Sequence, residues 1–210
     1  MDWGIKRLKG KRNTSKYLCA GGNVMTNAST FNFSNFDVTD VDINFISNAL
    51  SKICRYNGNI GSTQLPDNTL YSVGQHSVLM AQSALIALGD PHLAMACLFH
   101  DSPEAYIGDF SSPIKKKIKH IIKPIEDHIE KTIFGYLGIE HADPLLIKQL
   151  DLNICEYEIT FILKGDVVDG AIWSPKMTNE MFMKLYKQIC ELIEYDKLPL
   201  ATEQWSHNLL

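Results

Sequence analysis

The chain has 210 residues, a net charge of −4 and 45% hydrophobic residues, which is enough to bury a core and excludes wholesale disorder. No apolar run exceeds seven residues, and residues 1–30 hold no apolar signal core, so the sequence predicts neither a membrane span nor export. The five cysteines lie far apart without a CxxC pair. That pattern favours a reducing cytoplasm over a disulfide framework or a zinc–thiolate site.

Charge is unevenly distributed along the chain. Residues 1–24 contain six Lys/Arg and one Asp, a net charge of +5, which leaves −9 for the rest. Residues 25–210 are therefore too acidic to favour nucleic-acid binding, although a few local cations can still hold one small anion.

We predict an irregular, basic extension over 1–38, a single domain over 39–200 and a tail over 201–210. The role of the extension is left open, as is whether Met25 is the natural start.

From residue 39 onward, apolar residues recur at helical spacing, and the fold is predicted to be all-α with six to seven helices. Asp and Ser/Thr mark helix starts, and Gly marks helix ends. The predicted helices cover 40–54, 72–88, 90–106, 124–137, 143–163 and 179–195, with a short helix restarting near 111–113. Residues 55–70 are predicted to form a loop. The apolar face of the last helix is assigned to the core, with a subunit interface as the alternative.

Histidine and aspartate side chains interrupt the apolar faces of several predicted helices. His76 and His100 each continue an apolar stripe, Asp101 follows His100, and Asp151 lies between two leucines. A buried acid needs a partner, and a cation satisfies that need. Each residue alone fits a hydrogen-bonded core position. Together, two His and two Asp form a mixed nitrogen and oxygen set that suits Mn, Fe, Co, Ni or Zn better than Ca.

Four segments carry a family resemblance: YSVGQHSV over 71–78, LFHDSPEAYIGD over 98–109, PIK over 113–115 and KQLD over 148–151. They resemble the HD-domain phosphohydrolases, and among them the bacterial 5′-deoxynucleotidases and a phage and prophage group that includes dATP triphosphohydrolases. The resemblance covers about residues 40–165. The H…HD…D skeleton is less specific than its combination with HDxxExxxxD and the downstream Pro-x-Lys.

The resemblance implies one divalent transition metal (Mn, Co, Zn, Ni or Fe, with Mg as an alternative) and four ligands for it: His76, His100, Asp101 and Asp151. It implies two carboxylates around the attacking water, whose acid and base roles stay undecided: Glu104 and Asp109. Matching residues also imply contacts to the phosphate and to the sugar or base: Arg55, Lys115 and Tyr56. Core packing is the alternative for Tyr56. Lys148 joins the phosphate contacts because it lies nearly one helical turn before Asp151.

The remaining histidines are predicted to be surface or loop residues: His92, His120, His128, His141 and His207. Relatives with a second metal use extra histidines in the region of His120 and His128, but the flanking Lys and Glu residues favour solvent exposure. One metal is therefore predicted. The far wall of the pocket is assigned to three residues after the last ligand: Asn153, Glu156 and Tyr157.

These roles predict a cytoplasmic enzyme that hydrolyses the phosphoester bond of a 5′-(deoxy)nucleotide with metal-activated water. The leaving group, monophosphate or triphosphate, and the base and sugar preferences stay open. The alternative is a catalytically silent nucleotide-binding or regulatory module, which the intact Glu104 and Asp109 disfavour. The predicted partner is a small nucleotide, with no membrane and no stable nucleic-acid binding. A homo-oligomer, a dimer or larger, is a further option.

Overall fold

The computed structural model describes residues 35–60, 69–139, 142–164 and 171–196. Within these ranges the chain forms seven α-helices and one isolated β-bridge, which confirms the all-α prediction. The helices are α1 (Ile43–Leu50), α2 (Val73–Leu88), α3 (Pro91–Phe99), α4 (Glu104–Ile107), α5 (Ser112–Leu137), α6 (Pro144–Glu158) and α7 (Pro175–Asp196). Three shorter turns accompany them, two of 3₁₀ and one of π type: Val38–Asp40, Arg55–Gly58 and Ile159–Leu163. Several predictions fall outside the described residues, namely those for 1–34, residues 61–68 of the 55–70 loop, His141, His207 and the tail.

Helix α1 is shorter than predicted at both ends. The Asp42 carboxylate accepts hydrogen bonds from the backbone N–H groups of residues 44 and 45, so the helix begins after Asp42 rather than at residue 40. It ends at Leu50, although the N–H groups of Ser51 and Ile53 still bond the carbonyls four residues before them, and Cys54 then forms an antiparallel bridge with Ser72. This bridge holds the 55–58 turn against the start of α2.

The predicted helix over 90–106 is broken into α3 and α4. An α-helix would need an N–H at residue 103 to reach the Phe99 carbonyl, and Pro103 has none. The N–H of Ser102 bonds that carbonyl instead, at 3.0 Å. The break leaves His100 and Asp101 in a turn at the end of α3 rather than inside a helix.

The predicted helix break before residue 124 is wrong, because α5 continues through that position. It is one helix of 26 residues that runs through Pro124. Pro124 lies on the exposed side, where solvent can satisfy the carbonyl that loses its backbone partner. The predicted helix over 143–163 has the expected extent, but its last turn, Ile159–Leu163, widens into a π-helix. Helix α7 begins at Pro175, four residues earlier than predicted.

The core lies where α2, α3 and α7 pack together. Phe99 of α3 meets Phe182 of α7 edge-on, with ring centroids 5.3 Å apart. Phe182 and Ile189 are fully buried, which confirms the core assignment for that part of the α7 face, whereas Leu192 is exposed. None of the helices in the described ranges combines the length and apolar character needed to cross a membrane.

Candidate metal centre

Two imidazoles and two carboxylates meet where α2, the end of α3 and α6 approach one another. His76 Nε2 lies 3.3 Å from His100 Nε2, 3.4 Å from Asp151 Oδ1 and 3.8 Å from Asp101 Oδ2. His100 Nε2 lies 3.1 Å from Asp101 Oδ2. The ligand atoms of His76, His100 and Asp151 all fall within 4.8 Å of one another, so these three residues could hold a metal ion.

The other ring nitrogen of each histidine fixes which tautomer it adopts. His76 Nδ1 lies 2.6 Å from Glu158 Oε1, and His100 Nδ1 lies 2.7 Å from the Cys97 carbonyl. An ionised carboxylate and a carbonyl only accept hydrogen bonds, so each Nδ1 carries the proton and donates it. In the neutral rings both Nε2 lone pairs then face each other and the aspartates.

The donor set and its spacing fit a divalent metal. Two ligands about 2.1 Å from one ion lie about 3.0 Å apart at a right angle and about 3.4 Å apart at a tetrahedral angle. Three of the four Nε2 separations, 3.1, 3.3 and 3.4 Å, fall in that interval. Facing lone pairs repel one another unless a positive charge lies between them, and a metal ion supplies that charge.

The electrostatics keep both aspartates ionised. Burial alone would raise the pKa of Asp101, but its interactions with His100, His76 and the Arg55 guanidinium outweigh burial and hold that pKa well below its usual range. Burial likewise opposes ionisation of Asp151, yet its contacts with His76 and Lys148 lower its pKa. For His100, burial is outweighed by the nearby carboxylates, chiefly that of Asp101, and its pKa rises.

Glu158, the last residue of α6, was not predicted as a site residue, yet its side chain is fully buried beside His76. Its Oε1 accepts from His76 and from the Tyr71 hydroxyl at 2.7 Å, and its Oε2 accepts from the Tyr56 hydroxyl at 2.5 Å. Burial opposes ionisation, but hydrogen bonds from His76 and Tyr56 and the charge of Arg55 outweigh it, and the pKa of Glu158 is lowered. A signal was available, because Glu158 follows Asp151 by seven residues and therefore shares its helix face.

Arg55 lies against the acidic groups of the centre. Its Nη1 is 3.5 Å from Asp101 Oδ2, and its Nη2 is 3.2 Å from Glu158 Oε2 and 3.4 Å from Cys155 Sγ. Only 13% of its side chain is exposed. The guanidinium carbon also lies 5.3 Å from the centroid of the Tyr56 ring. Arg55 and Tyr56 therefore turn inward, toward Asp101 and Glu158.

Glu104, the first residue of α4, is buried with one oxygen unsatisfied. Its Oε2 has no hydrogen-bond partner among the described residues, and its Oε1 lies 3.6 Å from Lys115 Nζ. Burial raises the pKa of Glu104 well above its usual value, and the carboxylates of Asp101 and Asp109 raise it further. Burial also raises the pKa of Asp109. Lys115 is half-exposed and pairs with Glu126 at 2.8 Å.

Lys148 lies at the outer edge of the centre. Its Nζ is 2.6 Å from Asp151 Oδ2, while 65% of its side chain is exposed. The three residues assigned to the far wall of the pocket are all exposed on α6: Asn153, Glu156 and Tyr157. Three histidines predicted to lie at the surface are exposed as expected: His92, His120 and His128.

Comparison with known proteins identifies two uncharacterized relatives. No protein-family model matches the chain. The chain is similar to the uncharacterized protein YfdR of Escherichia coli K12, with 27% identity over 176 residues that cover 77% of the chain and 92% of YfdR. It is also similar to an uncharacterized protein of Rhodobacter capsulatus, with 29% identity over 114 residues that cover 52% of the chain and 55% of that protein. A function for this chain therefore has to be argued from its own site.

Proposed function

We propose that this protein is a metal-dependent phosphohydrolase that cleaves the phosphoester bond of a 5′-(deoxy)nucleotide. The observation that carries the proposal is the convergence of His76, His100, Asp101 and Asp151, whose nitrogen and oxygen ligand atoms lie 3.1–3.8 Å from a histidine Nε2, beside the unsatisfied carboxylate of Glu104. The substrate class comes from the resemblance of the surrounding motifs to the HD-domain phosphohydrolases.

The metal would be held by the two Nε2 atoms and by the carboxylates of Asp101 and Asp151. Two imidazoles with two carboxylates favour Mn, Fe, Co, Ni or Zn, with Mg as an alternative. A bound divalent ion lowers the pKa of a coordinated water and polarises a phosphoryl oxygen.

The protein's own groups handle the protons. In the hydrolysis the water oxygen bonds to phosphorus, the bond from phosphorus to the leaving oxygen breaks, and that oxygen takes up a proton. Of Glu104 and Asp109, one accepts the proton of the water and the other supplies the proton of the leaving group. Their raised pKa values bring both carboxylates closer to neutral pH, where such exchange is effective.

The cations divide into two roles. Arg55 is held between Asp101 and Glu158, which makes it a positioning group for the centre. Lys115 and Lys148 have partly exposed ammonium groups beside Glu104 and Asp151, so a phosphate entering from solvent can reach them. Each would neutralise developing charge on phosphoryl oxygens.

The test measures release of phosphate, pyrophosphate and triphosphate from a panel of dNMPs, dNTPs and NTPs with Mn, Co, Mg and Zn in turn. His76→Ala should lose bound metal and turnover together. Glu104→Gln should keep the metal and lose turnover, and Glu191→Gln, at an exposed position of α7, should change neither. Metal-loaded protein that turns over no nucleotide would overturn the proposal and favour the silent binding module.

A further inference from the structure

We infer that Glu158 is a positioning residue that holds His76 in the tautomer able to bind the metal and anchors Arg55 beside Asp101. The inference rests on the metal-binding part of the proposed function and extends it to a residue outside the ligand set. It is carried by the hydrogen bonds around one fully buried carboxylate.

Four donors surround that carboxylate, two on each oxygen. Oε1 faces His76 Nδ1 and the Tyr71 hydroxyl, and Oε2 faces the Tyr56 hydroxyl and Arg55 Nη2. A carboxylate offers about four lone-pair sites, so all of them are used. Glu158 therefore has no lone pair left for a metal and acts through its neighbours.

The donors come from separate parts of the chain. Arg55 and Tyr56 lie in the turn that the Cys54–Ser72 bridge holds against α2, and Tyr71 precedes Ser72, the N-cap of that helix. Backbone bonding reinforces this arrangement, since the Arg55 N–H donates to the Tyr71 carbonyl at 2.9 Å. One carboxylate from α6 thus connects a member of the metal centre with the guanidinium that reaches Asp101.

Replacing Glu158 by glutamine should reverse the His76 tautomer. The amide keeps one acceptor oxygen and gains an NH₂ donor. A guanidinium cannot accept a hydrogen bond, so the amide oxygen stays with Arg55 and the NH₂ turns toward His76. His76 Nδ1 must then accept, its proton moves to Nε2, and the lone pair that would bind the metal is lost. Loss of such an outer partner lowers metal affinity by about 10- to 100-fold.

The experiment compares wild type, Glu158→Gln and Glu191→Gln as full-length chains. Co²⁺ affinity is measured by titration of the visible absorption spectrum, and the histidine tautomers are measured by ¹⁵N NMR of the metal-free proteins. His76→Ala identifies the His76 signals. Turnover is then followed against metal concentration. We expect a proton on Nδ1 of His76 in wild type and on Nε2 in Glu158→Gln, with Co²⁺ affinity lowered at least tenfold. Saturating metal should restore part of the lost turnover.

Two results would overturn the inference: Co²⁺ affinity in a folded Glu158→Gln protein within twofold of wild type, or a wild-type His76 protonated at Nε2. The second measurement does not depend on Glu158→Gln and decides the matter even if that variant fails to fold. Failure of the proposed function would look different, because wild type would then show the expected tautomer but no turnover.

Discussion

Replacing Glu104 with glutamine should stabilise the metal-free protein and, in the metal-loaded protein, remove turnover. Glu104 is 6% exposed, its Oε2 has no hydrogen-bond partner among the described residues, and its Oε1 reaches only the half-exposed Lys115 at 3.6 Å. A buried carboxylate with an unsatisfied oxygen lowers the stability of the protein. Such a cost is expected where a residue is needed for function.

The magnitude follows from the buried charge of Glu104. A buried group without a partner costs about 1–3 kcal/mol, and more when it is charged. Glutamine removes the charge that burial and the carboxylates of Asp101 and Asp109 disfavour, and the loss of the attraction to Lys115 offsets part of the gain. We expect Glu104→Gln to raise the free energy of unfolding by about 1 kcal/mol at pH 7, or the melting temperature by about 2–4 °C for a chain of this size.

The pH dependence has a defined sign. The pKa of Glu104 is raised in the folded state, so the stability it contributes is complete below about pH 4.3, the ordinary Glu value, and is lost as the pH rises through the folded-state pKa. The stability difference between Glu104→Gln and wild type should therefore grow from pH 4 to pH 8.

The assay is urea unfolding of metal-free protein across that pH range. Glu126→Gln is the matched control, because its carboxylate pairs with the same lysine at 2.8 Å and its loss should lower stability by up to about 1 kcal/mol. Turnover of Glu104→Gln should fall by about 10²- to 10⁴-fold. A Glu104→Gln protein less stable than wild type by over about 1 kcal/mol at pH 7 would identify Glu104 as a satisfied core residue and refute the reasoning.

Three further predictions concern metal binding, packing and thiol chemistry. Metal at a free concentration of about 100 times its Kd should raise the free energy of unfolding by about 2.7 kcal/mol, and thermal melts of His76→Ala should show no such gain. Gly74→Ala should lower stability by about 1–3 kcal/mol in urea unfolding, since its Cβ would lie 3.1 Å from the backbone of Leu50. In Gly135→Ala the new Cβ would meet no described atom within 4 Å, so the free energy of unfolding should instead rise by up to about 1 kcal/mol. Equal changes in stability for the two variants would contradict the packing argument. Burial raises the pKa of Cys155 to about 12, so iodoacetamide at pH 8 should label it at least tenfold more slowly in the folded than in the urea-unfolded protein, as followed by mass spectrometry.

Part of the candidate site could be predicted from the sequence because its signals are local. Ser72 before α2, Asp90 before α3 and Gly89 after α2 mark helix ends through their own backbone and side-chain bonds, and all three act as caps in the structure. Polar side chains on otherwise apolar helix faces pointed to His76 and Asp151 by the same local logic.

Other features depend on contacts between distant segments. The antiparallel bridge between Cys54 and Ser72 joins two segments whose pairing does not follow from helical periodicity. For α5, exposure of Pro124 determines that the helix continues, and exposure is a property of the packed molecule.

By itself, the sequence determined the all-α fold and the order of the helices, and it pointed to His76, His100 and Asp151, which the structure brings within 4.8 Å of one another. Helix signals and buried polar residues can be read within one or two turns of chain. Only the tertiary structure decided the partners. It directed Arg55 toward Asp101 and Glu158 rather than outward, left Glu104 with an unsatisfied oxygen, and used the four donors around Glu158 to fix His76. Those outcomes depend on which helices meet, because a buried charge takes the partner that packing places within reach.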